Sequence, residues 1–176
     1  MQRLALPLAL VVLAVLGGLL LLPSPAPPAP EPEPEPPWSP FGPEAVRRIA
    51  VLDKGDTGTL LERTGAGWTV RRGEAAPTAA RSDQARWGAM ALSSLRPIRE
   101  VADDGDAGAF GLGPMALRIE VSLDDGSTRT LRLGDPLRVG EGRYARFGED
   151  DRVWAVPMTP LLPLLVDPEE LQEVAP

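Results

Sequence analysis

The stretch Ala116–Leu133, ALRIEVSLDDGSTRTLRL, decides the fold. Leu117, Ile119, Val121 and Leu123 alternate with Arg118, Glu120 and Ser122. In an extended chain successive side chains point to opposite faces, so the four apolar residues line one side of a strand. Asp124-Asp125-Gly126 then reverses the chain into a second strand, Thr128 to Leu133, the strongest hairpin signature in the protein.

Working outward from this hairpin, Arg143 to Phe147 and Arg152 to Val156 form another strand pair around Gly148-Glu149-Asp150-Asp151. Thr159 is placed to cap a short leucine helix with Pro160 at its first position, although Pro163 interrupts it. Towards the N-terminus, Arg48 to Asp53, Thr59 to Arg63 and Gly67 to Arg72 read as three further strands with Asp- and Gly-rich turns between them. Ser82 to Leu95, SDQARWGAMALSSL, has the spacing of a helix with Trp87, Met90, Ala91 and Leu95 on its apolar face; Ser82 or Asp83 caps its start and Pro97 marks its end. The expected class is α+β, with antiparallel β-meanders each followed by a helix in a loose internal duplication.

The chain has 176 residues and contains neither cysteine nor histidine. Disulfides, thiolate nucleophiles and Cys-based zinc sites are thereby excluded, and the commonest general base is missing. From Glu44 onward there are 17 basic against 22 acidic side chains, a net charge of −5. That balance opposes nucleic-acid phosphates, so no nucleic-acid partner is expected.

The N-terminal third has a different chemistry. Arg3 precedes an uncharged apolar run, Leu4 to Leu22, which as a helix is long enough for a bilayer core. Residues 1–22 are therefore expected to be an uncleaved signal anchor with its basic end in the cytoplasm. A removed signal peptide is the competing reading, with Ser24-Pro25-Ala26 as its small-x-small site, but proline follows both Ala26 and Ala29. Residues 23–43 hold eleven prolines, with Glu31, Glu33 and Glu35 alternating among them. Proline fixes φ and extends its predecessor, so this tract is expected to be a polyproline II rod about 65 Å long. Trp38 and Phe41 at its distal end are expected to tuck against the globular domain of residues 44–176.

No residue is assigned to catalysis, to a cofactor or to a metal. Asp103, Asp104 and Asp106 miss calcium-loop spacing, because counting from Asp104 the sixth position is Ala109 where glycine is required. Glu149-Asp150-Asp151 reads as a hairpin tip. Phe110 to Met115, FGLGPM, has glycines but does not follow a strand and open a helix as a nucleotide fingerprint must. Lys54 is the only lysine and lies in a turn, away from any serine it would need to activate. Carboxylate pairs capable of glycoside hydrolysis lack an evident aromatic platform.

GWTVRR, the 82–95 helix, PIREVADD, AFGLGPMALRIEVSLDDGSTRTLRLGD and GRYARFGEDDRVWAVP together resemble a bacterial domain-of-unknown-function family, DUF4340-like, over about Arg48 to Leu171. The matching motifs are Phe110-Gly111-Leu112, Leu131-Arg132-Leu133-Gly134 and Tyr144-Ala145-Arg146, with Met115 after Pro114 a small departure. What the resemblance implies is a set of structural positions, Phe110, Gly111, Leu112, Gly134, Tyr144 and Trp87. Phe110 and Leu112 are expected to insert into the core, with Gly111 permitting the bend between them. The resemblance also implies membrane-anchored exported proteins associated with ABC-type or gliding-type transport systems. The expected location is the bacterial inner membrane, single-pass, with the C-terminal domain extracytoplasmic. Two functions stand open: a non-enzymatic accessory or scaffold protein for an envelope membrane partner such as ABC-type transporter components, or an envelope lipid- or glycan-binding module.

Overall fold

The computed structural model describes residues 40–53, 58–65, 67–102, 106–166 and 171–172. The apolar run 4–22 and the proline tract up to residue 39 lie outside the described residues, as do Lys54, Asp103 and Asp104.

Nine strands form one sheet: β1 Val46–Leu52, β2 Gly58–Thr64, β3 Gly67–Arg72, β4 Thr78–Ala79, β5 Arg99–Ala102, β6 Leu117–Leu123, β7 Thr128–Pro136, β8 Arg143–Phe147 and β9 Val153–Val156. Their spatial order is β4-β3-β2-β1-β6-β7-β8-β9-β5, and each neighbouring pair is antiparallel. Two meanders, β1–β4 and β6–β9, thus meet side by side at the β1–β6 seam. One α-helix, α1 Ser82–Ser93, separates them in sequence. The class is mostly antiparallel sheet with a single helix.

The β6–β7 hairpin is built as its sequence dictates. Ile119, Val121 and Leu123 are buried, while Arg118, Glu120 and Ser122 are partly exposed. In the turn, the Asp125 carboxylate accepts from the Ser127 backbone N–H at 2.8 Å and the Ser127 hydroxyl at 2.6 Å. Gly126 adopts φ +83°, a left-handed value that favours glycine.

Register assigns the two faces of the sheet. Ile49 lies opposite Leu61 and Val121, Leu61 opposite Val70, Ile119 opposite Leu131, Leu131 opposite Phe147, and Ala145 opposite Trp154. These residues form the inner face and one continuous core with Ala85, Ala89, Leu92, Leu95, Leu161 and Leu164. Phe41 packs against that core, as its place at the end of the proline tract suggests.

Three expectations about the helices are corrected. The face of α1 that meets the core is Ala85, Gly88, Ala89 and Leu92, whereas Trp87 is 65% and Met90 47% exposed. Two stripes of uncharged residues lie on opposite sides of this helix, and close packing selects the smaller one: a Cβ at Gly88 would collide with the Leu164 side chain. The N-cap is Arg81, with no side-chain cap hydrogen bond, and Ser82 is already the first helical residue. The C-terminal leucine segment is a six-residue 3₁₀ turn, Thr159–Leu164, preceded by Met158 as N-cap. Pro163 inside it has no N–H to donate, which explains why no α-helix forms. The meander therefore occurs twice, but an α-helix follows only the first.

Candidate functional site

The five resemblance residues of the second half are brought together on the outer face of the sheet. Gly134 follows the inward Leu133, and Tyr144 precedes the inward Ala145, so both point outward. Over them lies a one-turn 3₁₀ segment, Ala107–Phe110, whose N-cap Asp106 accepts from the Gly108 N–H at 2.9 Å. Gly111 ends that turn at φ +70°, and Leu112 follows it, 1% exposed. A Cβ at Gly134 would collide with the carbonyl oxygen of Phe110 and come within 3.0 Å of Leu112 Cγ. The Phe110 ring meets Tyr144 edge-on, with centroids 4.9 Å apart at 62°.

Leu112 is thus buried as expected, yet against the outer face and not within the main core cluster. Phe110 is only half-buried, because its ring covers Tyr144 at the surface. Trp87 does not join this group; it stands on α1, which packs on the inner face.

The outer face also gathers charge that the sequence does not advertise. Arg118 lies directly opposite Arg132, and Arg132 directly opposite Arg146, so three adjacent strands carry a row of arginines on one face. Glu120 Oε1 sits 2.9 Å from Arg118 Nε, and Asp151 Oδ1 sits 3.7 Å from Arg146 Nη1. Arg132, at the centre, is exposed and has no acidic partner within salt-bridge distance among the described residues. A fourteen-residue recurrence, 118, 132 and 146, was the available clue. It becomes meaningful only once the hairpin register is known.

Two carboxylates are held below the ordinary range. Asp125 is lowered by the hydrogen bonds from Ser127. Asp150 is lowered chiefly by Arg152, whose Nε donates to Oδ1 and Oδ2 at 3.1 and 2.9 Å, while the same guanidinium lies 5.0 Å above the Trp154 ring. Glu149, Asp150 and Asp151 therefore occupy the β8–β9 hairpin turn, where one carboxylate has a structural role.

A groove of about 450 Å³ runs beside the start of α1, lined by Glu44, Arg63, Trp68, Ser82 and Arg86. Trp68 is almost fully buried and presents little of its ring to that groove. Among the described residues no group of three or more acidic side chains is placed to hold a metal ion, and no helix is long and apolar enough to cross a membrane.

Residues 89–174 match the family described as a domain of unknown function, DUF4340. The matched stretch contains Phe110, Gly111, Leu112, Gly134 and Tyr144, and begins two residues after Trp87. No curated protein and no solved structure matches the chain.

Proposed function

We propose that this protein is a non-enzymatic, membrane-anchored accessory or scaffold protein of the bacterial cell envelope, which presents its α+β domain to a partner such as an ABC-type transport system. The observation that carries this reading is the orientation of α1. A helix that turns alanine and glycine to its own core while holding Trp87 and Met90 in solvent offers large apolar side chains to another surface. Tryptophan is enriched among residues that dominate binding energy, and methionine adapts to irregular partners. The apolar run Leu4 to Leu22 and the proline tract after it supply an anchor and a spacer for such a module.

A photo-crosslinking residue placed in the full chain at Trp87 or Met90, in living cells, should yield a discrete membrane-protein adduct. The same residue at exposed Val139, in the loop after β7, should not. Equal labelling at all three positions, or none at any, would remove the helix from consideration as the contact face. The alternative, a lipid- or glycan-binding module, draws support from the groove lined by Trp68, Arg63 and Arg86. Its poorly presented Trp68 makes it the second choice.

A further inference from the structure

The net charge of the globular part is −5, yet the sheet's outer face has the opposite sign. Register places Arg48 opposite Glu62 and Ser122, Arg71 opposite Leu60, Arg99 opposite Ala155, and the row Arg118, Arg132 and Arg146 on neighbouring strands. Only Glu62 and Glu120 share those outward strand positions, so six arginines face two glutamates. The acidic excess is carried elsewhere on the domain.

Like charges directly opposite one another on neighbouring strands repel, because their Cβ atoms stand only about 4.5–5.5 Å apart. A sheet that places arginine three times in such a row tolerates this locally, and a multivalent anion across the row would remove it. Beside the row is a place for one. A depression of about 390 Å³ lies between the guanidinium-bearing side chains of Arg118 and Arg132 and the 107–116 segment, walled by Leu112, Gly113, Pro114 and Ala116. The Phe110–Gly134 contact fixes that segment against the sheet, so the apolar wall is rigid.

We infer that this depression binds a phosphate-type oxyanion, held by Arg132 and Arg118 with Arg146 at the far end of the row. The planar guanidinium fork suits bidentate contact with phosphate oxygens, and two forks on adjacent strands can clamp one group from both sides. The apolar wall takes whatever the phosphate is attached to. The acids nearby do not fill the site: Glu120 is on Arg118, Asp151 reaches Arg146 from an 83% exposed position, and the Asp106 carboxylate is engaged by the Gly108 N–H. Asp135 lies against Gly111, beyond the Leu112 end of the depression. This site is independent of the Trp87 face on α1.

The test uses the full chain purified in uncharged detergent. Three probes are titrated: glycerol 1-phosphate in solution, phosphatidylglycerol doped into the micelles, and a polyglutamate peptide. Saturable binding of either phosphate probe is expected, weakened about tenfold or more by Arg132→Gln and unchanged by Arg48→Gln at the distant end of the face. Gly113→Phe adds bulk where an added Cβ meets nothing within 4 Å; it should block binding while leaving every arginine in place. Response to the soluble ester identifies a free phosphate compound as the source, and response to the doped micelles alone identifies a lipid head group. Saturation by polyglutamate with no phosphate response overturns the inference. So does phosphate binding that Arg132→Gln and Gly113→Phe both leave intact in variants that melt like the parent.

Discussion

Gly134 on β7 and Phe110 are in backbone contact, packed so closely that any Cβ at position 134 would enter the Phe110 carbonyl oxygen. The obstacle is backbone held by the Ala107–Phe110 turn, not the end of a flexible side chain, so it cannot step aside cheaply. Gly134→Ala should therefore destabilise the domain by about 1–3 kcal/mol, in the range of an overpacked site. Gly113→Ala, three residues away from Phe110 but in open space, should change stability little. Urea unfolding of the two variants beside the parent decides the matter; equal stability would mean the 107–112 segment does not rest on β7 as described.

The two sides of α1 should respond oppositely to truncation. Leu92→Ala removes a fully buried side chain from the core and should cost about 2–5 kcal/mol. Trp87→Ala deletes a far larger side chain from the solvent side and should stay within about 0.5 kcal/mol of the parent. Thermal melts of both variants test this, and a large loss at Trp87 would show that its ring is covered within the domain itself.

What was legible in the sequence follows from the strength of each local pattern. Leu117 to Leu123 alternates so strictly that one face had to be buried, and Gly67–Arg72 and Arg143–Phe147 match their predicted limits residue for residue. α1 was found but turned the wrong way, because side-chain size points to Trp87 and Met90 while sheet packing requires small residues at 85, 88 and 89. β5, Arg99–Ala102, was missed since REVA on the sheet edge carries too few apolar residues to read as a strand. Phe110, Gly111 and Leu112 drew notice as a motif, but their seat on Gly134 depends on a chain reversal that no local pattern encodes. The arginine row needs the register of three strands at once, and so was invisible before the fold.

Asp150 should contribute to acid sensitivity. Its folded-state pKa lies below 3.8 because Arg152 stabilises the ionised carboxylate. Such a group adds stability above the unfolded value and loses it as pH falls through the folded one. Asp150→Asn should therefore be less stable than the parent at neutral pH, and the gap should close as pH drops below 3.8. Denaturant midpoints across that window measure it, and a gap independent of pH would assign the loss to something other than the charge.

The proline tract, which lies outside the described residues, is expected to act through its length. Replacing residues 23–43 with an equally long tract of other Pro-x repeats should preserve function, whereas halving it removes about 30 Å of reach and should cripple it. Complementation of a deletion strain at matched expression separates these outcomes. Full rescue by a version lacking residues 1–43 would mean that neither the membrane nor the distance matters.

Arg132 should be a residue whose removal strengthens the fold. It stands between Arg118 and Arg146, directly opposite each, and has no acidic partner among the described residues to offset them. Like-charge pairs of this geometry cost about 0.2–1 kcal/mol each, so Arg132→Gln should raise the melting temperature by a few degrees at low ionic strength. The gain should shrink in molar salt, where screening falls to about 3 Å and the row no longer senses itself. Saturating glycerol 1-phosphate should reverse the order: the parent gains stability by binding, and the variant, having lost the central fork, does not. The four melting curves, parent and variant with and without phosphate, separate repulsion from packing. A variant less stable than the parent at low salt would show that Arg132 earns its place through contacts within the sheet, and the row would then be structural and not a binding surface.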